Sequence, residues 1–279
     1  MDKASGSSAR HCSRSNSDQF YVKFEVPGTQ PQDPLEDIST DRQARLEGFS
    51  QERFANATVL LVGAGGLNGP IGVGLAREGI GRTKIFDHDV VHLSNLSRQK
   101  FYIEDLYHNK ALCLARNLAR EAVSPVVIEG HARSFEEAIE AGIDLSADVV
   151  INGTDNDAVR VATSRAYPRT PVIFLAVAEN CDNGYVFVQE PSGPCFGCLF
   201  PEALVEDPNR RFPCKVPAIL DINTVLAGLA LYAVRTLLSE APRNWNYWEI
   251  FVDGSIPARP RVVTRRADCP ACSTWRICP

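Results

Sequence analysis

Residues 58–69 read TVLLVGAGGLNG, a run of β-branched and leucine residues from Thr58 to Val62 that stops at Gly63-Ala64-Gly65-Gly66-Leu67-Asn68-Gly69. A short apolar run ending in glycines is a buried strand. Glycines there let the backbone turn tightly and set bare N–H groups against a phosphate at the mouth of the next helix. That helix is expected over Leu67–Gly79, and a second strand over Thr83–Phe86 ends at Asp87, placed to accept from a ribose hydroxyl. Strand, loop, helix, strand and acid in that order make a nucleotide-binding unit. The third glycine of G-x-G-x-x-G is Asn68 here, and Gly65 and Gly66 are adjacent, so the loop alone does not select a dinucleotide.

The same grammar continues outward. Helices are expected over Lys110–Val123, Phe135–Ala141 and Asn156–Tyr167, alternating with strands at Val126–Glu129, Asp148–Ile151 and Pro171–Ala176. Short apolar strands separated by helices mean an α/β fold, a Rossmann-like, mostly parallel sheet with helices on both faces. From Tyr185 the pattern changes to an antiparallel extension (Tyr185–Gln189, Trp248–Val252, Arg261–Thr264) with one long apolar helix, Val216–Leu238. Upstream, residues 1–36 read as a polar tail, an edge strand over Gln19–Val26 and a Pro-rich linker; a helix is expected over Asp37–Asn56. Residues 37–279 then form one domain.

The 279 residues are 44% hydrophobic and 23% charged, an ordinary globular mixture that excludes a wholly disordered or collagen-like chain. Twenty-nine basic against 34 acidic side chains give a net charge of −5, so no global positive field gathers nucleic acid. The N-terminus has no apolar h-region, and the apolar stretch Thr224–Val234 falls short of the ~20 residues that a membrane span needs. A soluble, cytoplasmic protein is expected.

Residues 94–99, SNLSRQ, place Asn95, Arg98 and Gln99 just past the ribose site, and Lys110 opens the next helix. The strand Asp148–Ile151 runs into Thr154-Asp155-Asn156, where a carboxylate at the edge of a parallel sheet is placed to hold Mg²⁺. A hydride-transfer enzyme needs no such cationic clamp, whereas phosphoryl or nucleotidyl transfer does.

Cysteines form two C-x-x-C pairs, Cys195/Cys198 and Cys269/Cys272, a set that suits a closed, structural, tetrahedral Zn²⁺ site. Cys113 and Cys181 read as core residues. Cys214 sits between Arg211 and Lys215, ahead of the long helix, a setting that favours the thiolate.

These motifs resemble the ubiquitin-activating-type superfamily of adenylating enzymes, the ThiF/MoeB/HesA group. The likeness rests on G-x-G-G-L at Gly63–Leu67, D-x-D at Asp87–Asp89, S-N-L-x-R-Q at Ser94–Gln99, Lys110, T-D-N at Thr154–Asn156 and the paired cysteines. It implies that Gly63, Gly65, Gly66, Asp87 and Asp89 belong to an ATP site. Asn95, Arg98 and Lys110 would contact the triphosphate, with Gln99 and Asn156 beside them and Asp155 on magnesium. Arg42 matches an upstream element whose arginine enters a neighbouring subunit's ATP site, which implies a homodimer. The implied reaction is ATP/Mg²⁺-dependent adenylation of the C-terminal glycine of a ubiquitin-like protein. The basic setting of Cys214 tips the expectation towards transfer of the adenylate to Cys214 as a catalytic thioester nucleophile, with a conjugating enzyme as the next acceptor. The alternative is activation of a sulfur carrier, with a sulfur donor next in line, and a second is a non-catalytic scaffold.

Overall fold

A computed structural model describes residues 20–28, 38–205 and 217–273. Its strands are β1 (Tyr21–Pro27), β2 (Thr58–Val62), β3 (Arg82–Phe86), β4 (Pro125–His131), β5 (Val149–Asn152), β6 (Val172–Val177), β7 (Asn183–Gln189), β8 (Tyr247–Phe251) and β9 (Arg259–Arg261). Its helices are α1 (Asp41–Ala44), α2 (Gln51–Asn56), α3 (Asn68–Glu78), α4 (Lys110–Glu121), α5 (Phe135–Glu140), α6 (Asp157–Ala166), α7 (Phe196–Leu199) and α8 (Leu220–Leu238).

The strands form one sheet in the order β1-β4-β3-β2-β5-β6-β7-β8-β9. The five from β4 to β6 are parallel, whereas β1 on one side and β7 to β9 on the other run antiparallel. The expected parallel sheet with an antiparallel extension is therefore present, and the expected edge strand is β1, paired along β4.

Strand β2 is buried on both sides, so its side chains alternate between two cores. Val59 and Leu61 join Ile71 and Leu75 of α3, Leu114 of α4 and Leu226 of α8. Leu60 and Val62 join Phe135 of α5, Val161 of α6 and Phe196 of α7. Helices thus cover both faces.

Three expectations change. The single helix over Asp37–Asn56 is instead the short pair α1 and α2, interrupted where Gly48 takes φ of +77°. Strand β9 lies earlier than Arg261–Thr264, because it is Tyr247 to Glu249 of β8 that pair with Arg259–Arg261. Helix α8 begins at Leu220, later than the expected start at Val216, and by length and composition alone it is sufficient to cross a membrane. Its Ile222, Leu226, Ala230 and Val234 are instead buried in the core shared with α3. Cys113 is a core residue, whereas Cys181 is half-buried in the β6–β7 turn with φ of +62°.

Chain order reverses between β2 and β5, whose ends register as Val62 with Asn152. Loops leaving the carboxyl ends of those two strands diverge to opposite faces, and a crevice opens between them.

Candidate active site and metal centre

The crevice has a volume of about 590 Å³ and is lined by Gly63, Gly65 and Gly66 from one strand end and by Thr154, Asp155 and Asn156 from the other. The glycine loop is fixed by side-chain amides. Gly63 takes φ of +91°, a conformation that L side chains rarely adopt, and its N–H donates to Phe86 O at 2.8 Å. Asn68, fully buried in the position of the third glycine, donates from Nδ2 to both Val62 O and Gly63 O at 2.8 Å. Instead of loosening the loop, Asn68 ties it back to its own strand.

Asp87 joins the loop to the next strand. Its Oδ2 accepts from Ala64 N at 2.7 Å and its Oδ1 from Asp89 N at 2.8 Å. Burial lifts its carboxyl above the ordinary value, against Lys110 and the two N–H donors, which favour the carboxylate. Two oxygens with spare lone pairs remain able to accept from a sugar hydroxyl. Lys110, the first residue of α4, pairs with Asp89 Oδ2 at 2.8 Å. Asp89 is partly buried, which works against its charge, but the Lys110 ammonium outweighs this and its carboxyl falls below the ordinary value. Asn109 caps α4 by accepting from Leu112 N and donates to the carbonyls of Asp87 and Asp89, so both acids and the lysine share one frame.

Arg98 and Gln99 line the crevice, and Arg98 Nη1 donates to Ser94 O at 2.5 Å. Asn95 does not line it; its Oδ1 accepts from His92 N and holds the turn that presents Arg98. Across the crevice, Thr154 donates from both N and Oγ1 to Asn152 Oδ1, while Asn156 caps α6 through Ala158 N and Val159 N. Arg160, buried and unmarked by any sequence motif used above, donates to Thr154 O at 2.5 Å and pairs with Asp157 at 2.9 Å. Asp155 is thereby left exposed at the tip of a clamped turn, a hard oxygen donor suited to a divalent cation.

Arg42 lies exposed on α1 and is not among the crevice-lining residues. Cys214 lies outside the described residues, as do residues 1–19.

The other cluster lies beyond the sheet. Cys195, Cys198, Cys269 and Cys272 are buried, and their Sγ atoms all lie within 4.8 Å of one another. Three of the pairs are 3.7, 3.6 and 3.5 Å apart, Cys195–Cys198, Cys195–Cys269 and Cys198–Cys272. Four sulfurs about 2.3 Å from a tetrahedral centre would be separated by about 3.8 Å, and a disulfide by about 2 Å, so the spacing fits a shared metal rather than bonded pairs. Missed in the sequence were Asn109, Asn152 and Arg160, and the anchoring role of Asn68, which stood out only as a departure from the third glycine. Asparagines flanking strand ends and helix starts were the signal available.

The ThiF family profile matches residues 38–271. A sulfur carrier protein adenylyltransferase of Thermus thermophilus is 30% identical over 234 residues, covering 80% of this chain and 84% of that protein. The SAMP-activating enzyme E1 of Haloferax volcanii is 29% identical over 194 residues, 68% of this chain and 70% of the other. An adenylyltransferase and sulfurtransferase MOCS3 of Culex quinquefasciatus is 31% identical over 189 residues; the match spans 67% of this chain but only 42% of that protein. Among solved structures, Escherichia coli MccB bound to MccA-N7isoASN shares the fold, with a TM-score of 0.68 at 20% identity over 80% of this chain and 68% of that one. By its family profile, and with a relative 30% identical over most of both chains, the chain belongs to the ThiF family.

Proposed function

We propose that this protein is an ATP-dependent adenylyltransferase that activates the C-terminal carboxylate of a ubiquitin-fold sulfur-carrier protein. The observation that carries this reading is the convergence of the glycine loop, Asp87, the Asp89–Lys110 pair, Arg98 and Asp155 on one crevice. Relatives named for sulfur carriers and sulfurtransferase activity favour this over protein conjugation, to which the setting of Cys214 had pointed.

The chemistry needs little from the protein beyond position and charge. A carboxylate is already ionised at pH 7, so no general base is required. Its oxygen attacks the α-phosphorus of ATP, the bond from that phosphorus to the bridging oxygen breaks, and pyrophosphate leaves with the electron pair. Asp87 accepts from the ribose. Lys110 is held by Asp89 through one N–H and offers its remaining two to phosphate oxygens, with Arg98 beside it. Asp155 would hold Mg²⁺, which supplies charge neutralisation at the triphosphate. The four thiolates would hold Zn²⁺ and fasten the segment around Cys269 to α7. The acyl adenylate then passes to a sulfur nucleophile that displaces AMP.

The exposed Arg42, outside its own crevice, fits a role in the crevice of a second copy in a homodimer. Mixing Arg42→Ala with Asp155→Ala protein tests this: restored activity in the mixed dimer is expected, and a dead mixture overturns it.

The main test is ATP–pyrophosphate exchange with Mg²⁺ against ubiquitin-fold proteins ending in glycine. Exchange that depends on one carrier and vanishes in Asp155→Ala is expected. No exchange with any carrier overturns the reading.

A further inference from the structure

The start of α8 forms a wall of the crevice that the chemistry above leaves unused. Pro217 and Ala218 line it just ahead of the helix, and Asn223, one turn in, lines it as well. Asn223 is 4% exposed, and its amide has no hydrogen-bond partner among the described residues. An amide that lines the crevice without such a partner is able to donate to a ligand oxygen.

Its position says which ligand. A Cβ built on Gly66 would lie 2.6 Å from Asn223 Nδ2 and 3.6 Å from Arg98 O. Gly66 is bare where the amide stands, and no other residue type leaves that space. Asn223 therefore faces the loop whose N–H groups are expected to receive phosphate, on the side where Arg98 arrives. The helix adds to this. Ile219 supplies no side-chain cap, so among the described residues only Asp221 Oδ1 accepts from a first-turn N–H, that of Ile222, and the positive end of a 19-residue helix borders the crevice at Pro217 and Ala218.

We propose that the Asn223 amide donates a hydrogen bond to a non-bridging oxygen of the nucleotide's α-phosphoryl group, the oxygen on which charge develops as the acyl adenylate forms. This inference rests on the adenylation reading for the reaction, but not for the contact with phosphate. Asn223 is a substrate-contacting residue on the glycine-loop side of the crevice, so the amide and the loop N–H groups hold the α-phosphoryl group together.

The experiment compares equilibrium binding of ATP and of adenosine, with Mg²⁺, to the wild type, Asn223→Ala and Asn223→Asp, alongside pyrophosphate exchange. Asn223→Asp keeps the shape and replaces a donor with an anion, so ATP affinity should fall about tenfold or more while adenosine affinity is unchanged. Asn223→Ala should lower ATP affinity by about threefold and exchange at saturating ATP by about tenfold or more. ATP binding by Asn223→Asp at wild-type strength overturns the inference, as does an equal loss of adenosine binding, which would mark a structural role. If the wild type binds ATP but exchanges with no carrier, the adenylation reading fails, while the comparison of ATP with adenosine still decides the Asn223 contact.

Discussion

Two parts of this chain gather ionisable side chains, and they do so in opposite ways. At the cysteine cluster the four thiols face one another with water shut out. At the crevice, Asp155 is exposed and Arg98 half-buried, and behind them the buried Asn68 and Asn152 and the half-buried Asn109 are neutral amides that each clamp backbone. A centre that must never exchange its ligand is closed by its own donors. A centre that must admit a ligand keeps Asp155 open and fixes its backbone largely with amides, whose burial is offset by hydrogen bonds and carries no Born penalty. The buried Arg160 is a charged exception, paired with Asp157.

The sharpest test of the closed centre is to remove one thiol. Cys269→Ser, or stripping metal with a chelator, is expected to lower the thermal midpoint by on the order of 10 °C or to prevent folding, read by circular dichroism. A midpoint unchanged by both would place the cysteines with the open class and break the contrast. The converse test is Lys110→Ala, which should leave the midpoint within a few degrees and lower pyrophosphate exchange about 100-fold, measured at saturating ATP. A melting point that falls together with activity would show that the crevice charges also hold the fold.

Asn68→Ala addresses the neutral layer between these extremes. It removes two bonds to the loop carbonyls, with an expected loss of about 2 kcal/mol in denaturant unfolding and weaker ATP binding. Loss of stability without loss of binding would mean that the loop needs no clamp to receive phosphate.

The smallest effect concerns a carboxyl that belongs to neither class. Burial at the end of α3 lifts Glu78 to about 7 from an ordinary 4.5, with Arg235 opposing. Because the folded value is raised, the fold binds its proton more tightly than the unfolded chain. That contribution is complete below about pH 4.5 and is lost as pH rises to about 7. Glu78→Gln should therefore stabilise the protein at pH 8 by on the order of 1 kcal/mol and change little at pH 4, by denaturant titration at both values. Equal effects at the two pH values would remove ionisation as the cause.

The strands and the principal helices were legible because burial on both sheet faces leaves unbroken apolar runs, as in β2 and β5. The single helix over Asp37–Asn56 was misread because helical propensity carries through Gly48, where tertiary contacts of Gln43 and Gln51 with Glu78 O instead hold two short turns against α3. The crevice charges could be read in order along the chain, since each follows a strand end. Asn223 could not: it meets Gly66 only because α8 returns from far along the chain to pack on α3, and no local pattern announces that approach.

The outermost strands have a consequence for how copies of this protein can meet. One rim of the sheet is β1, which carries Lys23, Glu25 and a terminal Pro27; the other is β9, just Arg259-Pro260-Arg261. Charges, prolines and brevity discourage a further strand from adding to either rim. Among the described residues, both rims of the sheet are thus poor templates for a further strand, and edge-to-edge growth of copies into a fibre is disfavoured.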